Sequence, residues 1–207
     1  MRNIWIKNLL INTVFKGASL VNKIIPKNEN KILLYANEGF RDNIYYLQKY
    51  LKENEYDKKY KIVCSCNDYK KHESENTQNI KFVSQKKGIL HFFTSAAVYY
   101  CFGRIPITPS KTQAAIQMWH GTSFKGFDQT MMKTNSVKNQ FYTHVYASSE
   151  FFRPIVEKKF SCKPEYVFIC GHPRTDCFYN GKNLYDLGNY KKVIMWMPTF
   201  RKSSQLG

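Results

Sequence analysis

Three short stretches of this 207-residue chain carry side chains able to do chemistry, and each directly follows an apolar run. The first is Met118-Trp119-His120-Gly121-Thr122-Ser123-Phe124-Lys125-Gly126. A histidine with an ordinary pKa near ~6.5 can take the proton of an attacking hydroxyl at neutral pH. Glycines let the backbone approach a ligand closely, Thr122 and Ser123 offer hydroxyls, and Lys125 adds positive charge, a set suited to a phosphate. The second stretch is Gly171-His172-Pro173-Arg174-Thr175-Asp176. There Pro173 fixes a turn and Arg174 presents a planar fork for phosphate or carboxylate, while Asp176 can pair with Arg174 or cap a following helix. The third is Pro198-Thr199-Phe200-Arg201, with Thr199 and Arg201 on a loop. On these residues alone, a packed structural His120 and an internal Arg174 to Asp176 ion pair remain open alternatives.

Such loops need strands behind them. Apolar runs at Lys31 to Ala36, Tyr60 to Cys66, Ile80 to Val83, Ala96 to Phe102, Ala114 to Trp119, Thr143 to Ala147 and Tyr166 to Cys170 predict a parallel sheet, several being apolar enough to be buried on both faces. Between them, Asn43 to Glu53 and Glu150 to Phe160 place large apolar residues three and four apart and predict crossover helices. Alternation of this kind is the pattern of an α/β fold, in which ligands gather beyond the carboxyl ends of the strands. Asn67 to Asn79 is polar and aperiodic and is expected to be a surface loop, as is Arg104 to Lys111, where Pro106 and Pro109 forbid helix or central strand. A last strand is expected over Tyr190 to Met197. With no helix after it, it is expected to open a second domain whose remainder is absent.

Composition sets the surroundings. Hydrophobic residues at 43% and aromatics at 16% exclude a disordered tail. Thirty-two Lys and Arg against fifteen Asp and Glu give a net charge of +17, which calls for an anionic partner: phosphate-bearing substrate, acidic lipid or nucleic acid. No aromatic and basic motif of an RNA-binding module accompanies that charge, so nucleic acid is not the expected partner. The six cysteines form no C-x-x-C pair and no zinc-like grouping with histidine, so buried thiols in a reducing compartment are expected, with no metal and no cofactor. Met1 to Ile25 carries Arg2, Lys7, Lys16 and Lys23 and no acidic residue. Its apolar positions recur at helical spacing but lysines break them, which predicts an amphipathic helix on an acidic leaflet and neither a membrane span nor a secretory signal. Docking of that helix on the protein core is the alternative.

The order W-H-G-T-x-x-K at Trp119 to Lys125, Ser149-Glu150 at a helix start, G-x-P-R-x-D at Gly171 to Asp176, and P-T-F-R at Pro198 to Arg201 resembles the CDP-glycerol glycerophosphotransferase family of teichoic acid synthesis. The match covers roughly the second half of the chain and is weak before residue 90. It implies a Rossmann-like N-terminal domain of a GT-B arrangement, with residues 1–28 as membrane-surface helix, 29–188 as acceptor-side domain and 189–207 as the start of a CDP-binding domain. Later family motifs find no counterpart before Gly207. The resemblance implies His120 as catalytic base and His120, Gly121, Thr122, Ser123, Phe124, Lys125, Arg174, Thr199 and Arg201 as substrate-binding residues. Implied partners are a CDP-glycerol or CDP-ribitol donor, a lipid-linked wall or capsule polymer acceptor and the cytoplasmic face of an anionic membrane. A GT-B glycosyltransferase using a nucleotide sugar, and an inactive truncated fragment binding anionic membrane, are the alternatives.

Overall fold

The computed structural model describes Leu10 and residues 13–121, 141–179 and 188–197. By its internal contacts the chain divides into Met1–Asp176 and Cys177–Gly207. The first unit is built on a seven-stranded, wholly parallel sheet in the order β3-β2-β1-β4-β5-β6-β7. Its strands are β1 (Asn28–Ala36), β2 (Lys61–Cys66), β3 (Ile80–Val83), β4 (Ser95–Tyr100), β5 (Ala114–Gln117), β6 (His144–Ala147) and β7 (Val167–Ile169). The helices are α1 (Val14–Ile24), α2 (Asn43–Glu53), α3 (Gln85–Phe92) and α4 (Arg153–Phe160).

Strand β1 shows why the sheet is covered on both sides. Leu33 and Leu34 are neighbours in sequence, point to opposite faces and are both fully buried. Ile32, Leu34 and Ala36 pack with Ile44 and Leu51 of α2, whereas Leu33 and Tyr35 pack with Phe92 of α3, Phe15 of α1, and Val156 and Phe160 of α4. Each fully buried Leu contributes about 1.5–3 kcal/mol relative to exposure. The chain runs outward from β1 in one direction to β2 and β3, then returns to β4 on the other side. The connections after β1 and β4 therefore part at their carboxyl ends and leave a crevice there.

All seven strands predicted within residues 31–170 are present, with ends displaced by a few residues. Helix α2 has the predicted bounds, and the second predicted helix is a 3-10 turn, Glu150–Phe152, running into α4. Two expectations need correction. The expected loop at Asn67 to Asn79 contains a 3-10 run, Tyr69–Glu75, because Tyr69 packs on the core and Asp68 accepts a hydrogen bond from Phe40 N at 3.0 Å. Residues 188–197 carry no strand, and Ile194, Met195, Trp196 and Met197 are exposed. An apolar run becomes a strand only when another strand pairs with it. The six cysteines are free thiols, but only Cys64, Cys66 and Cys101 are fully buried.

Helix α1 docks on the domain and does so largely through polar atoms. Ser19 Oγ bonds the Phe15 carbonyl at 2.7 Å and accepts from Thr108 N at 3.0 Å. Asn22 Nδ2 donates to the Thr108 carbonyl at 3.0 Å and to Gln113 Oε1 at 2.9 Å. Gln113 is itself buried and donates to the carbonyls of Phe92 at 2.7 Å and Ser95 at 2.9 Å. On the far side of α1, Val14, Leu20, Val21 and Ile24 are exposed. Among the described residues no helix is long and apolar enough to cross a membrane.

Candidate active site at the strand ends

His120 lies just beyond β5, beside the crevice. Gln117 Oε1 accepts from Trp119 N at 3.0 Å, and the Trp119 backbone turns through a left-handed conformation with φ +56°. That conformation strains a bulky residue, and the Trp119 carbonyl is held by two donors, Asn43 Nδ2 at 2.7 Å and Cys101 Sγ at 3.2 Å. The His120 ring, half buried, stacks on Phe102 with centroids 5.2 Å apart and planes 11° apart, and touches the Trp119 ring at 4.0 Å. Cations close both ends of this stack: Arg41 lies 5.2 Å from the Phe102 centroid and Lys159 Nζ 3.8 Å from the Trp119 centroid.

These surroundings hold His120 below its usual pKa. Burial is the largest cause, Lys159 and Arg174 push the same way, and Asp42 opposes them. Burial also lowers the Lys159 pKa. A neutral, half-buried imidazole is the protonation state that a proton acceptor requires.

Arg174 is brought to the same place by the 3-10 turn Pro173–Phe178. Its guanidinium pairs with Asp42, Nη1 to Oδ2 at 3.0 Å, rather than with Asp176 as one alternative had it. Asp42 is the N-cap of α2, its carboxylate accepting from Asn43 N at 2.8 Å, and it adopts φ +61°. A non-glycine residue in such backbone geometry costs about 1–3 kcal/mol, a cost borne where two contacts need that carboxylate. Gly121, at φ +124°, lies against Arg174: any Cβ there would run into the guanidinium. His120, Gly121 and Arg174 thus lie close together. Thr122, Ser123, Phe124, Lys125, Thr199 and Arg201 lie outside the described residues.

Beyond Trp119, a small, mainly apolar recess opens between Trp119, Tyr146, Phe152, Lys159, Phe160 and His172. Asp42, Asn43, Phe102 and Lys159 were not among the predicted site residues. Asp42 was legible as a helix cap ahead of the predicted α2. Nothing local marks the other three. Among the described residues no cluster of His, Cys, Asp or Glu could hold a metal ion.

A doubly wound parallel sheet with imidazole and guanidinium gathered beyond its strand ends is an α/β domain whose ligand crevice lies at those ends. The model of the CDP-Glycerol:Poly(glycerophosphate) glycerophosphotransferase family matches residues 18–206. This chain belongs to that family. It is 26% identical over 218 aligned positions to the teichoic acid poly(ribitol-phosphate) polymerase of Bacillus spizizenii, covering 95% of this chain and 34% of the relative. It is 33% identical over 107 positions to the teichoic acid ribitol-phosphate polymerase TarK of Staphylococcus aureus, covering 44% of this chain and 21% of that one. Among solved structures, the wall teichoic acid polymerase TagF superposes with a TM-score of 0.59 at 16% identity, over 86% of this chain and 47% of that chain. A TagF variant soaked with CDPG gives 0.58 at 14% identity, over 86% and 49%. The fold is therefore that of about half of TagF, and the chain spans about a third or less of the two curated relatives' length.

Proposed function

We propose that this chain takes part in moving glycerol phosphate or ribitol phosphate from a CDP-polyol to a lipid-linked teichoic acid or capsule polymer, releasing CMP. Support comes above all from His120, a half-buried imidazole kept below its usual pKa beside Arg174 at the strand ends. Family membership supplies the donor class. A terminal hydroxyl of the acceptor attacks the β-phosphorus of the donor and forms the new O–P bond, its proton passing to His120. The O–P bond to CMP breaks, and CMP departs with the electron pair. Arg174, Lys125 and Arg201 offset negative charge on the transferring phosphoryl and the leaving group, the assistance that phosphoryl transfer mainly needs. His120, Gly121, Thr122, Ser123, Phe124, Thr199 and Arg201 line the donor side. On this reading residues 29–188 form the acceptor-side domain and 189–207 begin the CDP-binding one. Helix α1 keeps the enzyme peripheral to the cytoplasmic leaflet where the acceptor is displayed.

CMP release from CDP-glycerol and CDP-ribitol by the natural gene product, with a lipid-linked acceptor, tests this. His120→Ala should lower turnover by about 10²–10⁴-fold with the circular dichroism spectrum unchanged, the usual contribution of a positioned base. Full turnover in that variant removes His120 from the mechanism. UDP or GDP release from a nucleotide sugar, with none of CMP, points to glycosyl transfer instead.

A further inference from the structure

One fully buried side chain ties together the loops that the proposed chemistry uses. Asn43, at the head of α2, is 0% exposed. Its Nδ2 donates to the Trp119 carbonyl at 2.7 Å and lies 3.4 Å from His172 Nδ1, and its Oδ1 accepts from Arg174 N at 3.1 Å. The orientation of this amide is not arbitrary. A carbonyl can face only the NH₂ end and a backbone N–H only the oxygen, so two main-chain partners fix which atom is which. With the NH₂ end toward His172, Nδ1 of that ring must be the lone-pair nitrogen. His172 is 7% exposed, and Arg174, His120 and Asp42 are the charged or titratable groups acting on it. Burial and Arg174 hold its pKa low, whereas Asp42 and a hydrogen bond with the Met118 backbone act in the opposite direction. A neutral ring with its lone pair on Nδ1 satisfies the Asn43 contact.

We propose that Asn43 is a positioning residue of the site: it fixes His172 in the Nε2-protonated tautomer and, through the Trp119 carbonyl, holds the left-handed turn that presents His120. Three segments far apart in sequence depend on one amide: the turn after β5, the loop after β7 and the head of α2. The Arg174 backbone is pinned by Oδ1 while its guanidinium is held by Asp42 next door. His172 is then a spent ring, a spacer between loops and not a second base. The consequence for turnover rests on the transfer proposed above; the tautomer does not.

Side-chain ¹⁵N NMR of the histidines in the 207-residue protein is the test. In the wild type, His172 should show the Nε2-protonated neutral form from about pH 6 to 8, the range over which an ordinary histidine titrates. In Asn43→Asp, a carboxylate replaces the NH₂ end, so His172 should take a proton on Nδ1 and titrate at higher pH. A wild-type His172 protonated on Nδ1, or an Asn43→Asp spectrum in which His172 is unchanged, would overturn the assignment. The wild-type spectrum decides the matter even if the variant does not fold. In the CMP-release assay, Asn43→Asp should lower kcat by about a hundredfold with the donor KM little altered, as misplacement of a reacting group does. A loss carried by KM alone overturns the positioning role. Absence of CMP release from the wild type would strike the functional reading, while the tautomer measurement would still decide this one.

Discussion

At the scale of single residues, the electrostatics of His120 are set by neighbours that can be changed one at a time. Lys159 lowers its pKa and Asp42 raises it. Replacing Lys159 with Gln removes a positive charge that disfavours the imidazolium, so the His120 pKa should rise. On the mechanism proposed above His120 must be deprotonated to work, so the acidic limb of the pH profile of kcat should move to higher pH, leaving activity at alkaline pH near its original level. An unmoved limb would mean that Lys159 does not act on the group that carries that limb. Gly121→Ala probes the other side. A methyl group there meets the Arg174 guanidinium in a backbone conformation that alanine avoids, so the expected loss is about 1–3 kcal/mol of stability with turnover falling as Arg174 is displaced. Urea denaturation and CMP release together separate the two effects. Of these residues, His120, Gly121 and Arg174 were readable because strand ends carry them in short motifs. Lys159 and Phe102 were not, since their place beside His120 exists only once α4 is packed on the sheet and β4 is paired beside β5.

At the scale of elements, the strands were the legible part because parallel strands buried on both faces leave continuous apolar runs, as at Ile32 to Ala36 and Ile62 to Cys64. Helix α3 was not anticipated: its Gln-Lys-Lys-Gly opening is polar, and its N-cap Ser84, accepting from Lys87 N at 3.4 Å, is its clearest local mark. The run at Tyr190 to Met197 misled in the opposite direction, since hydrophobicity reports a need for burial but not the partner that makes a strand. Docking of α1 stood as an alternative in the sequence, but its polar joint was hidden, because Ser19, Asn22 and Gln113 look like surface residues there. Gln113→Leu should show how much that polar joint matters. It would strand the Phe92 and Ser95 carbonyls and the Asn22 amide in a buried place, where one unsatisfied group costs about 1–3 kcal/mol. A drop of at least that size is expected in equilibrium denaturation, with increased proteolysis near α1. A neutral result would mean that water reaches the joint.

At the scale of the whole molecule, the net charge of +17 and the outward face of α1 bear on the same question. Along this helix Phe15, Ala18, Ser19 and Asn22 turn toward the domain, while Val14, Leu20, Val21 and Ile24 turn away and Lys16 and Lys23 flank them. A soluble helix anchored by polar contacts usually shows water its polar side. This one shows water an apolar stripe bordered by cations, the arrangement that inserts into the headgroup region of an acidic bilayer. Each basic residue near such a surface contributes about 1 kcal/mol, and each buried Val, Leu or Ile about 1.5–3 kcal/mol. The protein should therefore sediment with vesicles containing phosphatidylglycerol and much less with purely zwitterionic ones, and added salt should weaken but not abolish the binding, because only the ionic share is screened. Val21→Asp with Ile24→Asp interrupts the apolar stripe at two of its four residues without touching the polar joint, so the fold should survive while binding falls well below that of the wild type at every salt concentration. If the double variant binds as the wild type does, the charge of the whole surface suffices and α1 has no special part in holding the protein to the membrane.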